Sequence, residues 1–149
     1  MTEINKQKTE WEVISHTADY GFRIYGKSLE ELVNNSFKAL IGTMFSINEN
    51  AKRSVSETTI KLKAYEPALL IIDLLRELHY MITSDNVFPI NLKLVKLSET
   101  EVVAYLNYRL ITPEDNINVD VKAVTYHKAK IHNMDEVFFM DISYSLESL

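Results

Sequence analysis

Cysteine is absent from the 149 residues, which excludes disulfides, thiolate zinc sites and cysteine nucleophiles. Glycine and proline are scarce, at three each, so regular elements rather than loops should dominate. The chain contains no G-x-G-x-x-G, H-E-x-x-H or G-x-S-x-G sequence, and its one G-x-x-x-x-G-K-S match, Gly21 to Ser28, lies on a stretch that reads as a strand running into a helix rather than as a loop. The missing dinucleotide fingerprint and the strand-like setting of that match weaken every reading in which the chain binds a nucleotide by itself. A long hydrophobic run is also missing. The longest, Ala68 to Leu75, is interrupted by Asp73 and is too short to span a bilayer. Met1 to Glu10 is polar and lacks the apolar core of a signal peptide. Cationic excess is lacking too: 16 basic against 21 acidic residues give a formal net charge of -5. That balance argues against broad, unassisted nucleic-acid binding but leaves room for a local basic patch. A soluble, cytoplasmic protein with no membrane segment is expected.

What is present is enough apolar sequence, 46%, for one domain with a real core. Residues 1–9 are expected to form a mobile tail and residues 10–149 a single domain. Trp11 to Ile14 and Gly21 to Tyr25 read as strands, with Phe22 and Ile24 on one face and Arg23 and Tyr25 on the other. Ser28 and Glu31 make an S-x-x-E capping box, and Leu29, Leu32, Val33, Phe37, Leu40, Ile41 and Met44 recur at helical spacing behind it. Asn48 to Lys52 reads as a polar turn, and Ser56 to Lys63 alternates as a strand. Pro67 suits the first turn of a second helix, apolar on nearly every side to about Thr83 and therefore central. Strands are expected over Ile90 to Leu97, Glu101 to Leu110, Lys122 to Ile131 and Val137 to Leu146, with a hairpin turn at Asn133 to Glu136. The order does not alternate strictly, which disfavours a doubly wound parallel sheet. The predicted fold class is α+β: two helices packed on mainly antiparallel β-sheet in a single compact two-layer domain.

Two places are chemically unusual. His16-Thr17-Ala18-Asp19-Tyr20-Gly21 is a polar cluster between two strands. It reads either as a site or as a turn, with Asp19 accepting local amides and Gly21 supplying an unusual dihedral. Asp141 interrupts an apolar strand, on the face shared by Val137 and Phe139. A buried, unpaired carboxylate would cost several kcal/mol, roughly, so Asp141 needs a cation, strong hydrogen bonds or an exposed strand end. An ion pair with Lys122 or Arg23 would also serve. Lys122 and His127 sit on one predicted strand but point to opposite sides if it is regular, so one site using both requires a bulge or a strand end.

These islands resemble the archease family. The likeness runs from about Trp11 to Ile142: H-T-A-D-x-G at His16 to Gly21, the helix opening from Gly26 to Leu32, K-A-x-T-Y-H at Lys122 to His127, and the closing Asp141-Ile142 pair. The resemblance implies a non-catalytic accessory protein that activates an RtcB-type RNA ligase in tRNA splicing or RNA repair. It would promote guanylylation and multiple turnover of the ligase, and meet RNA indirectly through it. It further implies a divalent-metal site on Asp19, Asp141 and Ile142, and roles in ligase activation for Lys122, Asp19 and Asp141. His16 and His127 stand as accessory candidates, and no residue is assigned a catalytic role. Hard carboxylate oxygens suit calcium first, with magnesium or manganese as alternatives. Ile142 can contribute only a backbone carbonyl, so water or a partner must complete the shell. Many relatives end near the Asp-Ile pair, whereas this chain continues from Ser143 to Leu149, so a terminal carboxylate is not available beside Ile142. The family's glycine-acid element after the fifth strand is replaced by Asn107-Tyr108-Arg109-Leu110. Two other readings compete: a general chaperone or modulator of nucleic-acid enzymes, and a small metal-dependent hydrolase. Oligomeric state is not legible.

Overall fold

The computed structural model describes residues 10–15, 20–46 and 54–146. The predicted tail at 1–9, the polar turn at 48–52 and the last three residues lie outside them. Strands β1 (Trp11–Ser15) and β2 (Tyr20–Gly26) pair antiparallel, Trp11 opposite Ile24 and Ser15 opposite Tyr20. Helix α1 (Leu29–Met44) starts where the capping signal places it: Ser28 Oγ accepts from the Glu31 amide at 3.2 Å. The reciprocal half of the box is displaced, because the Glu31 carboxylate reaches the Lys27 amide at 3.4 Å rather than that of Ser28. Short β3 (Phe45–Ser46) and then β4 (Ser56–Lys63) follow. Helix α2 (Pro67–Asp85) opens on Pro67 and stops at Asn86, whose left-handed backbone (φ 55°) lets its amide close on the Met81 carbonyl. The rest is β5 (Val87–Leu97), β6 (Glu101–Leu110), β7 (Asn116–Ile117), β8 (Val121–Val124), β9 (Ile131–Met134) and β10 (Val137–Leu146).

All strand pairings are antiparallel, as expected for an α+β domain. One sheet runs β1-β2-β10-β8 with β9 also on β10; another runs β4-β6-β5; β3 and β7 form a small ladder. Helix α1 packs mainly on β2, and α2 lies against β5, β8 and β4. Both helices thus bury their apolar stripes against the inward faces of the two larger sheets. Alternation decides which residues face in: Phe22, Ile24, Met140 and Ile142 from the first sheet, Ile60, Val102, Ala104 and Leu106 from the other. Ile71, Leu74, Leu75 and Leu78 of α2 are essentially inaccessible, so the most apolar helix is the central one. Each such side chain contributes about 1.5–3 kcal/mol by leaving water.

The predicted strand from Lys122 to Ile131 is instead two strands. It ends at Val124, turns with Lys128 in the left-handed region (φ 56°), and resumes as β9. The β9–β10 hairpin closes through Asp135 and Glu136, with Asp135 at φ 61°. Beyond Asp141 the strand simply continues: β10 runs through Leu146, so the extension past Ile142 is sheet up to that point.

Candidate functional site

The break between β8 and β9 shapes the site. On one edge of β10, β9 pairs with residues 137–140 and β8 with residues 144–146. Among the described residues no strand pairs with Asp141, Ile142 and Ser143 on that edge. The turn carrying His127 and Lys128 crosses the gap instead. It is pinned there by Thr125, whose amide donates to the Ser143 carbonyl at 2.9 Å and whose hydroxyl donates to the same oxygen at 3.3 Å. The outcome is a small cleft of about 60 Å³ lined by Ile14, Tyr20, Gly21, His127, Lys128 and residues 141–143. It has room for an ion with a few waters.

Gly21 is essential to this geometry, though not for the dihedral freedom the sequence suggested. No glycine among the described residues has a positive φ. A Cβ built at position 21 would instead meet the Ile142 carbonyl oxygen at 2.5 Å. Only glycine lets β10 lie so close. Ile142 buries its side chain, and its carbonyl points toward Gly21 of β2, so only its backbone can line the cleft.

Asp141 is not unpaired. Its two carboxylate oxygens accept from Arg23 Nε at 2.7 Å and Nη2 at 3.0 Å across the β2–β10 register, where the two residues are direct partners. This is one of the ion pairs the sequence left open, and it pushes Arg23 well above the usual guanidinium range, chiefly through the Asp141 hydrogen bond. Arg23 also lies 4.8 Å from the Phe139 ring centroid, and His132 stacks on that ring at 4.7 Å. Both members of the pair remain about one-third exposed, so the pair is a modest stabiliser of fold and a strong orienter of the carboxylate.

Lys122 lies elsewhere. Ser145 faces Ala123 and Leu146 faces Val121, which leaves Lys122 as the extra residue of a β-bulge. Four to five positions along β10 separate it from Asp141, roughly 13–17 Å at strand spacing. The bulge is held from beneath by α2. His79 Nε2 donates to the Val121 carbonyl at 2.7 Å, and Arg76 Nη1 to that of Val124 at 2.6 Å. Arg76 and His79 are three apart on one helix face and grip the carbonyls on either side of Lys122. Tyr126 completes the clamp: its hydroxyl donates to Asp73, its ring lies 4.9 Å from the Arg76 guanidinium, and the Asp73 hydrogen bond pushes its own hydroxyl pKa up.

The structure therefore brings together Asp141, Ile142 and His127, and sets Lys122 apart on the same sheet. His16 and Asp19 lie outside the described residues. Among those described, no three His, Asp or Glu side chains converge as metal ligands. The donors that line the cleft, a carboxylate and a carbonyl, suit a hard divalent cation in kind, with Arg23 as the cation such an ion would have to share Asp141 with. Lys128 was not anticipated, and the sequence signal for it was only its place beside His127. Arg76 and His79 are polar interruptions of an otherwise apolar helix, and the sequence carries no further signal for their role.

Fold and site together define a small α+β domain with an open cleft to which a carboxylate and backbone groups contribute polar atoms. A family model, the archease protein family (MTH1598/TM1083), matches residues 11–142, and the chain belongs to that family. Relatives include the archease proteins of Pyrococcus abyssi, 30% identical over 85% of this chain and 90% of the relative, and of Methanopyrus kandleri, 28% identical over 84% and 91%. The fold is that of Methanobacterium thermoautotrophicum protein 1598, with a TM-score of 0.70 at 23% identity over 92% of this chain and 99% of the other. It is also that of a Thermotoga maritima archease described as a possible chaperone, with a TM-score of 0.62 at 22% identity over 89% and 94%. No helix among the described residues is long and apolar enough to cross a membrane.

Proposed function

We propose that this chain is a non-catalytic activator of an RtcB-type RNA ligase, acting in tRNA splicing or RNA repair through a divalent-metal site formed by Asp141, the Ile142 carbonyl and Asp19. The observation that carries the reading is the cleft itself, where a family motif pair lies beside the gap that the break between β8 and β9 leaves along β10, with Gly21 of β2 packed closely against it on the other edge. Arg23 fixes the Asp141 carboxylate in one orientation. Thr125 ties the His127 turn over the cleft, and Gly21 keeps the Ile142 backbone within reach. Calcium, magnesium or manganese, when bound, would supply a positive centre with open positions for oxygens of the partner. Lys122, exposed on its bulge, adds a second contact point for that partner at a fixed distance from the cleft.

The test is multiple-turnover RNA ligation by the cognate ligase with and without this protein. The ligase should reach higher guanylylation and turnover with it, and Asp19→Ala, Lys122→Ala and Asp141→Ala should each reduce the effect without unfolding the domain. Unchanged ligase behaviour on addition of the folded protein would refute the proposal. The description of the Thermotoga relative favours a general chaperone as the second reading. Recovery of other nucleic-acid enzymes and no RNA ligase from native extract would support that alternative.

A further inference from the structure

The outward face of the β4-β6-β5 sheet carries a charge opposite to that of the whole chain. Direct cross-strand partners share a face, so the register assigns it row by row. One row across the sheet is Thr59, Tyr105 and Lys93; the next is Lys61, Val103 and Lys96; a third begins with Lys63 and Glu101. The opposite parity, with Ile60, Val102, Ala104, Leu106 and Leu92, is buried beneath the helices. Val95 is the extra residue of a bulge, and it is this bulge that turns Lys96 onto the same face as Lys93.

Three lysines, Lys61, Lys63 and Lys96, thus surround the Glu101 side chain, and a fourth, Lys93, lies on the far side of the Val103 row beside Tyr105. Glu101 Oε1 accepts from Lys96 Nζ at 2.7 Å, and its Oε2 lies 3.9 Å from Lys63 Nζ. The Lys96 hydrogen bond, with the charges of Lys96, Lys63 and Lys61, holds the Glu101 carboxyl below the usual carboxylate range. Glu57 is the other acid on this face of β4, at the far end opposite Asn107. Lys63 and Lys96 keep most of their side-chain surface in water, and Lys61, Lys93 and Tyr105 are exposed. In a chain with net charge -5, such a cationic face does not arise from composition.

We propose that this sheet face binds single-stranded RNA directly. A flat aromatic ring flanked by cations on an open antiparallel sheet offers a stacking platform for an unpaired base with phosphate contacts on either side. An acidic protein surface would be matched by the lysines alone and would leave Tyr105 without a role. Thr59 and Asn107, which border Tyr105, supply the hydroxyl and amide that a 2′-hydroxyl or a base edge requires. The sequence suggested contact with RNA only through a ligase; this face makes that contact part of the chain's own surface. The inference stands on the sheet and needs no ligase, so its assay contains none, and either proposal can fail without the other.

The experiment is a fluorescence-anisotropy titration of a labelled, unstructured RNA 15-mer with the full chain at several salt concentrations. Binding is expected at low salt, with a log–log salt slope of about -2 to -3 for three to four lysine–phosphate contacts. Lys61→Gln with Lys96→Gln should flatten that slope by about one or more, and Tyr105→Ala should weaken binding about tenfold. Glu101→Gln should tighten it, since two lysines lose their internal partner. All four side chains point outward, so far-ultraviolet circular dichroism should be unchanged. Absence of binding at low salt would overturn the proposal. So would affinity indifferent to these substitutions, equal binding of poly-glutamate, or tighter binding of the matching DNA 15-mer.

Discussion

Replacing glycine by alanine should have unequal consequences at two positions in this chain, and the difference tests the account of the cleft. At Gly21 the new methyl would lie 2.5 Å from the Ile142 carbonyl oxygen, a backbone atom in the middle of a paired strand. An ordinary carbon–oxygen contact is about 3.3 Å or longer, so β2 and β10 must part by roughly 0.8 Å or the carbonyl must rotate. Overpacking of this kind costs about 1–3 kcal/mol. For a domain of this size that is a fall of roughly 4–8 °C in melting temperature around the middle of the range. At Gly42 the added methyl meets the Trp11 ring edge at 2.9 Å, a half-buried side chain at the end of the sheet that can swing aside. There the change also removes the penalty of a glycine inside a helix, about 1 kcal/mol. Gly42→Ala should therefore melt within about 1 kcal/mol of the parent, on the stable side if Trp11 yields. Thermal and urea melts of both variants decide the point. Gly21→Ala should also lose calcium binding by calorimetry and ligase activation, while Gly42→Ala keeps both. A Gly21→Ala protein as stable and as active as the parent would show that the close approach of the two strands is not required.

The buried pair of Arg109 and Asp115 gives a second, independent expectation. Asp115 accepts from Arg109 Nη1 at 2.8 Å and Nη2 at 2.7 Å and from the Thr112 amide at 2.8 Å, and its side chain is fully inaccessible. Asp115→Ala leaves the guanidinium unpaired and should cost about 3–5 kcal/mol in urea unfolding; a loss under about 1 kcal/mol would contradict the pairing. The Arg109 hydrogen bonds, helped by Thr112, push the Asp115 carboxyl down to about 2 from an ordinary 3.8. Because the folded value is the lower one, the stabilisation is complete above the unfolded value and is lost as pH falls from about 4 through 2. An acid titration of Asp115→Asn should lack that component. Arg23→Gln should strengthen calcium binding measured by calorimetry, since it releases Asp141 from its bidentate partner, at a stability cost of about 1 kcal/mol or less. Arg76→Met removes the charged donor to the Val124 carbonyl and should cost about 1.5–3 kcal/mol. It should also lower ligase activation although Lys122 itself is intact, and normal activation in a folded Arg76→Met protein would separate the clamp from function.

Local chemistry was legible in the sequence wherever one residue's neighbours in the chain decide its conformation. Ser28 and Pro67 start helices because capping and a missing amide act within one turn. The alternation of β2, β4 and β10 was read correctly because a strand's period is two residues and its inner face is apolar. The archease motifs were likewise contiguous segments, so the family could be recognised without coordinates. Partnership across the chain was decided only by tertiary structure. The strand expected from Lys122 to Ile131 breaks because α2 holds the carbonyls of Val121 and Val124 and because Thr125 bonds Ser143, contacts between residues 18 to 48 positions apart. Without that break β10 would have a continuous neighbour, Lys122 would not sit on a bulge, and no cleft would open beside Asp141. The choice of Arg23 over Lys122 as the partner of Asp141 follows from strand register, which no single segment encodes. The sequence alone determined both helices, most of the longer strands with their inward faces, and the family; the pairing of distant strands decided which of the marked residues share a site, because long-range register is set by packing the whole core at once.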